Sequence, residues 1–454
     1  MSKYNSLSNQ VPIEKGNVAL ERREDKCIHC GICKKVCTEK LSVCGFYNLD
    51  KNGDHPICLH CGQCINSCPT GALSEDLEYP FVKEAIDNKD KIVIFSISPS
   101  VRTSLGEEFN MADGTDVEGK AITLLRKLGG DYILDTNFSA DLTVMEEASE
   151  LIERITNKSK PLPQMTSCCP AWVKFVEIFY PEMIPNLSSV RSPIGMQGAT
   201  IKTYFAEKMH INPVNIVNVC VTPCTAKKFE IRREEMNKSS IVNNMPMRDM
   251  DYCITVRELA KIAKEKGIDF TKLEDGKFDK FMGESSGAGD VFGATGGVME
   301  ASLRTAYKLI TKKNPPKKLL NLKELRGNRN IKEATINIGE IELRVCVVYG
   351  TACARSVIED IKSNKREYDF IEVMACPSGC IGGGGQPKKM AMNEELLSQR
   401  ANVLYDKDKN KKIRFCHENP EIIALYKDFY KEPLSNLAKL LLHTNYTDRS
   451  DELK

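Results

Sequence analysis

The sequence has no long apolar run and no excess of charge of one sign. Lys and Arg total 64 and Asp and Glu total 62, so the net charge is +2. This balance argues against a general nucleic-acid binder, which carries a basic excess. No apolar stretch approaches the ~18 residues of a membrane-spanning helix, and the first ten residues lack the apolar core of a secretory signal. The sequence therefore predicts a cytoplasmic protein that binds neither nucleic acid nor membrane.

Histidine is scarce as well, whereas cysteine is abundant. Only 6 histidines are scattered over 454 residues, too few for an imidazole-rich zinc or non-haem iron site. The chain has 19 cysteines, many of them clustered before residue 70. Their number is odd and no export signal is visible, so the clusters indicate metal ligands or redox groups rather than disulfides. Thiolate sites with such short spacings favour iron–sulfur clusters.

Two runs of four cysteines near the amino terminus share the spacing Cys-x2-Cys-x2-Cys-x3-Cys. This is the pattern of bacterial two-cluster ferredoxins, in which the fourth cysteine of each run ligates the other cluster. One [4Fe-4S] cluster would be held by Cys27, Cys30, Cys33 and Cys68, and the other by Cys58, Cys61, Cys64 and Cys37. Two zinc knuckles are the alternative, but zinc sites usually combine two cysteines with two further ligands. Cys44 lies outside the pattern and is predicted to be a buried thiol.

From about residue 90 the sequence alternates short apolar runs with helical periods, which is typical of an α/β fold. Strands are predicted at 92–97, 132–134, 216–221, 343–349 and 370–374, and helices at 140–155 and 353–364. The basic segment 312–333, which contains two adjacent prolines, is predicted to be a solvated loop. The predicted domains are a polar leader (1–20), a small α+β ferredoxin-like module (21–80), a catalytic domain (90–390) and a mostly helical, charged C-terminal extension (391–454).

Chemically active residues follow directly on several predicted strands. Cys224, Cys376 and the turn 98–100 each come after a strand end, and Cys169 lies in the turn before a helix. In open α/β sheets, ligands bind outside the carboxyl ends of the strands. Loops that are distant in sequence can therefore meet there. The separated cysteines 169, 224, 376 and 380 could hold one more four-iron cluster.

Three of these loops resemble the signatures of the iron-only ([FeFe]) hydrogenases. They read TSCCPAW at 166–172, TPCTAKKFE at 222–230 and EVMACPSGCIGGGGQP at 372–387, in the family's order and behind a ferredoxin-like segment. The glycine-rich stretch 283–300 is similar too, and the resemblance extends from residue 21 to about 430. It implies a two-lobed catalytic domain in which helices flank parallel sheets and the cofactor lies between the lobes.

The implied cofactor is the six-iron H-cluster. In this cofactor a [4Fe-4S] cubane is bridged by a cysteine sulfur to a two-iron unit, which carries carbon monoxide, cyanide and a bridging dithiolate amine. Matched loop to loop, the cubane ligands would be Cys169, Cys224, Cys376 and Cys380, and Cys380 would form the bridge. Lys227 would hydrogen-bond one cyanide, and Pro99 and Ser100 would contact the other. The glycine run 382–385 would let the backbone approach the cluster closely.

The resemblance also implies a proton path. Cys168 is the neighbour of a ligand but not a ligand itself, and a thiol there would pass protons to and from the cofactor. Glu147, Ser188 and Glu150 match the family's onward path. The two glutamates are three residues apart on the predicted helix 140–155, so they share one of its faces.

Three positions depart from the best-known members of the family. Those members have methionine at the position of Thr222, glutamine at that of Ile194 and alanine at that of Ser98. Together with the retained Cys168, Thr222 resembles the branch often called group B. Changes around a metal site alter its redox potential, so the departures bear on rate and catalytic bias rather than on the reaction class.

The implied activity is the reversible interconversion of dihydrogen with protons and electrons, with the two N-terminal clusters as an electron relay. The expected partners are a small ferredoxin and the proteins that mature iron–sulfur and H-clusters. One alternative is a hydrogenase-like iron–sulfur assembly protein without the two-iron unit, but those relatives lose the residues retained here as Lys227 and Cys168. A hydrogen sensor is another alternative, but it would carry an appended signalling domain, and none is visible after residue 390.

Overall fold

The structure is a computed structural model that describes residues 9–51, 55–388 and 393–454. Its strands are β1 (Leu20–Arg22), β2 (Leu73–Glu75), β3 (Ile92–Ile97), β4 (Tyr132–Asp135), β5 (Gln164–Met165), β6 (Ile216–Thr222), β7 (Tyr252–Thr255), β8 (Ile331–Ile338), β9 (Ile341–Tyr349) and β10 (Phe370–Met374). All the strands predicted from apolar runs are confirmed, with ends that differ by at most two residues.

The helices include the two that the sequence predicts, now with longer or shifted bounds. They are α1 (Ile32–Glu39), α2 (Gln63–Asn66), α3 (Tyr79–Asp87), α4 (Pro99–Arg102), α5 (Glu118–Leu128), α6 (Thr136–Asn157), α7 (Pro170–Phe179), α8 (Pro193–Thr200), α9 (Ala206–Lys208), α10 (Ala226–Glu230), α11 (Ser239–Asn243), α12 (Val256–Glu265), α13 (Gly287–Asp290), α14 (Gly297–Thr311), α15 (Thr351–Lys362), α16 (Glu394–Asn410), α17 (Pro420–Leu425) and α18 (Asn436–Leu442). No helix in the described ranges is long and apolar enough to span a membrane.

The N-terminal module is a small α+β unit. Strands β1 and β2 pair antiparallel, and the short helices α1 and α2 begin within the two cysteine runs. Val11, Ala19 and Leu20 are buried against Cys64 in one small core. The second half of the predicted polar leader therefore packs into this module, while residues 1–8 lie outside the described part. Cys44 is buried, as predicted.

The catalytic domain contains two four-stranded sheets. One has the order β4-β3-β6-β7 and is parallel throughout, and the other has the order β5-β10-β9-β8. Its strands β5, β10 and β9 are parallel, but β8 and β9 form an antiparallel hairpin. The predicted parallel sheets are confirmed, and this hairpin is an addition that the sequence analysis missed.

The prediction that 312–333 is a solvated loop is wrong for the apolar residues of this segment. Leu319, Leu322 and Leu325 are buried in one hydrophobic core with residues of α14 and β9, and β8 begins at Ile331. The three leucines recur at intervals of three, whereas Lys323 between them is exposed. The many basic residues of the segment led to the prediction of a solvated loop and hid the burial of its leucines.

Helix α6 connects the two lobes. Asp135 caps its first turn by accepting a hydrogen bond from the backbone N–H of Asn137. The first half of the helix packs on the all-parallel sheet through Phe138 and Leu142, and its second half packs on the other sheet through Ala148 and Leu151. Residues near the middle of α6 therefore lie between the lobes.

The C-terminal segment is mostly helical, as predicted, and several of its residues are buried in the core. Leu441 and Leu442 are buried, and His443 forms an isolated antiparallel bridge with Val190. Further along the chain, Arg449 pairs with the buried Glu177 of α7. The segment thus completes the core of the catalytic domain.

Candidate active site

The carboxyl ends of strands from both sheets face one region between the lobes. Strand β3 lies between β4 and β6, so the chain leaves β3 and β6 at a point where the strand order reverses. Ser98 follows β3 there, and Cys224 follows β6. From the second sheet, Cys169 follows β5 and Cys376 follows β10. Such a switch point is the usual ligand-binding position of an open α/β sheet.

These loops enclose one cavity between the lobes. Its lining includes these residues named from the sequence: Ser98, Pro99, Ser100, Cys168, Cys169, Ile194, Thr222, Cys224, Lys227, Cys376 and Cys380. All four proposed cubane ligands thus reach one cavity, although up to 211 residues separate them in the chain. The predicted convergence of the loops is confirmed by this geometry.

Other wall residues were missed by the sequence analysis. Thr136 and Ala140 face the cavity from the first turns of α6, and Phe292, Gly293 and Met374 complete its apolar side. The i, i+4 spacing of the α6 pair places both residues on one face of the helix. Phe292 and Gly293 lie inside the glycine-rich stretch 283–300, so the signal for them was present but pointed to no particular residue.

The four thiols at this cavity have the character of metal ligands. Burial is the main cause that raises the pKa of Cys169, Cys224, Cys376 and Cys380 above the ordinary thiol value. A buried thiolate therefore needs a cation, and iron binding provides one as the thiol protons leave. Four soft sulfur donors in apolar surroundings suit an iron–sulfur cubane better than a hard cation. The residues present therefore fit the implied cofactor.

The glycine run 382–385 acts differently from the prediction. A Cβ on Gly383 would lie 2.3 Å from the carbonyl oxygen of Pro223, and one on Gly384 would lie 2.2 Å from that of Cys61. No side chain fits at such distances. Glycine is required here mainly because this loop touches the loops that carry Cys224 and Cys61, and only secondarily because it borders the cavity.

Lys227 brings a positive charge to the cavity wall. Its Nζ donates hydrogen bonds to the backbone carbonyl of Cys168 at 3.0 Å and to Glu230 at 2.7 Å. Burial opposes the charge, but Glu230 and Cys224 outweigh that effect and raise the pKa of Lys227 above its ordinary value. The ammonium is thus fixed in position, as expected of a group that anchors an anionic ligand.

Of the four residues predicted for a proton path, Cys168 lines the cavity, and Glu147, Ser188 and Glu150 are joined by side-chain contacts. Burial, followed by the Glu147 carboxylate, raises the pKa of Cys168 well above its ordinary value. Burial also raises the pKa of Glu147 to about 8, and within the described ranges its Oε1 has no hydrogen-bond partner. Ser188 contacts Glu147 and donates a hydrogen bond to Glu150 at 2.7 Å. A chain of polar contacts therefore runs from Glu147 through Ser188 to Glu150.

Glu150, at the outer end of this route, has the opposite electrostatics. Burial alone would raise its pKa, but Arg154 at 2.8 Å and Lys160 at 3.0 Å outweigh burial and lower the pKa to about 2. The two glutamates of the path are therefore held in different protonation states, a protonated inner acid and an ionised outer one.

Two smaller cavities in the N-terminal module match the two predicted ligand sets. One of about 360 Å³ is lined by Cys27, Cys30, Cys33 and Cys68. The other, of about 430 Å³, is lined by Cys37, Cys58, Cys61 and Cys64. Cys30 is exposed and Cys64 is buried, so the first site lies near the surface and the second lies inside.

The loop of the inner cysteine site touches the loops of the main cavity. Thr225 Oγ1 donates a hydrogen bond to the carbonyl of His60 at 2.6 Å, and Gln63 Nε2 donates one to the carbonyl of Gly382 at 2.9 Å. Arg257 then joins Glu75 of the module to the carbonyl of Gly384, which it contacts at 2.7 Å. The two sites are therefore adjacent and rigidly connected.

Comparison with known families agrees with this site. The model of the C-terminal domain of the iron-only hydrogenase large subunit matches residues 91–384, and a 4Fe-4S binding domain model matches residues 54–74. The iron hydrogenase small subunit model matches residues 394–449. This last match identifies the C-terminal segment, which the sequence analysis had described only as a helical extension.

Individual relatives cover most of the chain. The NADP-reducing hydrogenase subunit HndD of Solidesulfovibrio fructosivorans is 43% identical over 451 residues, which are 95% of this chain and 75% of the relative. Iron hydrogenase 1 of Clostridium pasteurianum is 42% identical over 436 residues, 93% of this chain and 74% of the relative. More distantly, cytosolic iron-sulfur assembly component 3 of Bos taurus is 28% identical over 403 residues, 86% of this chain and 82% of the relative.

A solved structure shows the same fold. A variant of apo [FeFe]-hydrogenase HydA1 from Chlamydomonas reinhardtii superimposes with a TM-score of 0.71 and 38% sequence identity, covering 81% of this chain and 98% of that chain. From the matched loops, the shared fold and these identities we conclude that the chain belongs to the iron-only hydrogenases, oxidoreductases whose cofactors are iron–sulfur clusters and the H-cluster.

Proposed function

We propose that this protein interconverts dihydrogen with two protons and two electrons, and that two N-terminal [4Fe-4S] clusters relay the electrons. The observation that carries the proposal is the cavity that joins four cysteine thiols, the Lys227 ammonium and the inner end of a proton path. When bound, the H-cluster supplies the chemistry that cleaves dihydrogen heterolytically. The protein residues hold the cofactor, exclude water and move protons and electrons.

The ligand roles follow from position. Cys169, Cys224 and Cys376 would hold the cubane, and Cys380 would hold it and also link it to the two-iron unit. Lys227 anchors one cyanide of that unit. The other proposed contacts are Ser98, Pro99, Ser100 and Thr222, which line the same cavity.

In the proposed proton path, Cys168 exchanges a proton with the cofactor at its Sγ. Glu147, whose raised pKa favours the protonated form, takes the next position. Ser188 contacts both glutamates, and its hydroxyl both donates and accepts a proton as it rotates. Glu150 then passes the proton outward.

The proposed partner for electrons is a small ferredoxin. Around the outer cysteine site, Ile28 is 64% and Ile32 is 41% exposed, beside charged side chains of both signs such as Asp25 and Lys26. Exposed apolar side chains with a charged rim suit the contact surface of a small redox protein. Proteins that mature iron–sulfur clusters and the H-cluster are further proposed partners, and the proposed location is the cytoplasm.

Infrared spectroscopy of the matured protein tests the function against its main rival. Bands from metal-bound carbon monoxide and cyanide, together with hydrogen production from reduced viologen, support the hydrogenase. An assembly protein of the kind found in Bos taurus is favoured if the protein, matured with the complete H-cluster machinery, shows iron but none of these bands.

The electron relay is tested by altering the ligand set of the outer cluster alone. Deleting residues 1–80 would remove the contact of Gln63 with the main cavity loops and disturb that of Arg257. A point variant therefore gives a more specific test. We expect Cys30→Ala to reduce turnover with a reduced ferredoxin by at least about tenfold, a barrier increase of about 1.4 kcal/mol, and to affect reduced viologen less. The measurement is hydrogen production with each donor.

A matched control for this experiment is Cys44→Ala. Cys44 is a buried thiol in the same module but outside both ligand sets, so this variant is expected to use both donors normally. Equal loss with both donors in Cys30→Ala, with the inner cluster and the H-cluster shown to be intact, would count against the relay.

Thr222 is expected to tune the potential of the site. Its side chain is 2% exposed, ends β6 and lines the cavity. Methionine fills more volume and removes a hydroxyl, which changes the hydrogen bonding near the cofactor. We expect Thr222→Met to retain activity and to shift the midpoint potential by about 30 mV, or about 0.7 kcal/mol for one electron.

The measurement is a spectroelectrochemical titration of the infrared bands. Thr222→Val separates the two causes, because valine keeps the shape of threonine and lacks its hydroxyl. If all three proteins give superimposable titration curves, Thr222 does not tune the site, and Ile194 and Ser98 become the next residues to test.

A further inference from the structure

The proposed proton path ends in a second cavity, which is lined by none of the cysteines. Its volume is about 1020 Å³, and Glu150, Lys160, Ser189 and His443 are among the residues that line it. Lys160 is 42% exposed at its side chain, so this cavity opens toward solvent. A proton that reaches Glu150 has therefore arrived at the wall of a polar opening.

Ser189 connects Glu150 with His443. Its backbone N–H donates to Glu150 Oε2 at 3.0 Å, and its Oγ lies 2.9 Å from His443 Nδ1. His443 is only 8% exposed, but it lines the same cavity as Glu150. Ser189 thus holds the two residues in position at the wall of one cavity, and a proton can pass between them through that cavity.

The other ring nitrogen of His443 is fixed by a carboxylate. Nε2 lies 2.9 Å from Glu146 Oε2, and Glu146 also accepts hydrogen bonds from the Tyr426 hydroxyl and the backbone N–H of Leu434. A carboxylate with these donors is an acceptor, so Nε2 carries the hydrogen and Nδ1 remains available to accept a proton. Glu146 also stabilises the imidazolium that forms when Nδ1 is protonated.

We propose that His443 is the outer proton-exchanging group of this protein, positioned by Glu146 and Ser189 to pass protons between Glu150 and solvent. The inference rests on the proposed function and extends its proton path by one residue. During dihydrogen oxidation, Glu150 releases a proton that His443 takes up at Nδ1 and then gives to solvent, and the direction reverses during hydrogen production. No electron moves in this step.

His443 is suited to this step because Glu150 alone exchanges protons poorly. Arg154 and Lys160 hold the pKa of Glu150 at about 2, so its carboxylate is rarely protonated at neutral pH. Imidazole takes up and releases protons near neutrality. Around it, the charged or titratable groups on neighbouring elements are Glu146, Glu150, Glu153, Lys160, Lys238, Tyr426 and Lys439.

The test is hydrogen isotope exchange, which needs proton transfer but no external electron donor. The matured protein is placed under deuterium gas in ordinary water, and the appearance of HD is followed at constant pH and ionic strength. At low buffer concentration we expect His443→Gln to exchange about tenfold more slowly than the wild type. Added imidazole should restore most of this loss, because a small base can enter the open cavity, and should change the wild type by less than about twofold.

His417→Gln is the matched control. His417 is half-buried, and within the described part of the chain neither of its ring nitrogens has a hydrogen-bond partner. This variant is expected to exchange like the wild type with or without imidazole. Infrared bands and iron content must be unchanged in both variants, which shows that the cofactor is intact.

The inference is overturned if His443→Gln exchanges as fast as the wild type at low buffer, or if its loss persists at every imidazole concentration. If the wild type itself forms no HD despite intact infrared bands, the proposed function fails instead.

Discussion

Replacing Cys168 with serine is expected to reduce hydrogen turnover by about 100-fold or more and to leave the iron content and the infrared bands near those of the wild type. Cys168 borders the main cavity next to Cys169, and its thiol is close to the Glu147 carboxylate. A serine hydroxyl is a weaker acid than a thiol, and the shorter C–O bond moves it away from its neighbours. The proton path would therefore lose its first member without loss of a metal ligand.

The measurement is hydrogen production and uptake with a small-molecule electron carrier, together with iron analysis and infrared spectra. Cys416→Ser is a matched control, because Cys416 is a buried thiol that packs in the same hydrophobic core as Cys168 but lies off the path. The control should retain most of its activity. If Cys168→Ser is as active as the wild type, Cys168 does not carry protons.

Much of the fold could be predicted because its central strands are buried on both faces. Runs such as 92–97 and 216–221 are almost uniformly apolar, and the structure buries nearly every one of their residues. Strand β8 was missed because charged and polar residues interrupt its apolar residues, so no continuous apolar run marks it. Strand β5 has two residues, too few for any periodic signal.

The ligands of the site could also be predicted, since cysteine spacing and three loop motifs are local features. The surroundings of the site could not be predicted, because they depend on contacts between segments that are distant in sequence. Glu146 and His443, for example, are 297 residues apart and meet only when the C-terminal segment packs on α6. The contact of Gly384 with Cys61 could not be predicted from the sequence either, although the glycine run itself was noted.

Replacing Cys380 with alanine is expected to abolish hydrogen turnover and to remove the infrared bands of carbon monoxide and cyanide. Cys380 lines the cavity, and its sulfur is proposed to join the cubane to the two-iron unit. Without that sulfur, the two-iron unit keeps only non-covalent contacts such as those of Lys227. The iron content should fall by about two atoms per chain while the three remaining thiols retain the cubane.

The structure makes this variant informative because the loop does not depend on the thiol for its shape. The carbonyl of Cys380 accepts hydrogen bonds from the backbone N–H of Gly383 at 3.0 Å and from Gln386 Nε2 at 3.2 Å. Arg400, itself paired with Glu107, donates to the carbonyl of Ile381 at 2.7 Å. These contacts involve the backbone of the loop, so the loop should stay folded when the sulfur is removed.

Cys346→Ala is the control for the general effect of losing a buried thiol. Cys346 is fully buried in β9 and away from the cavity, so this variant should show the complete infrared spectrum with some loss of stability. Iron analysis, infrared spectra and thermal unfolding are measured for both variants. The full set of carbon monoxide and cyanide bands in Cys380→Ala would rule out the bridge, because a two-iron unit retained without that sulfur must be held by other groups.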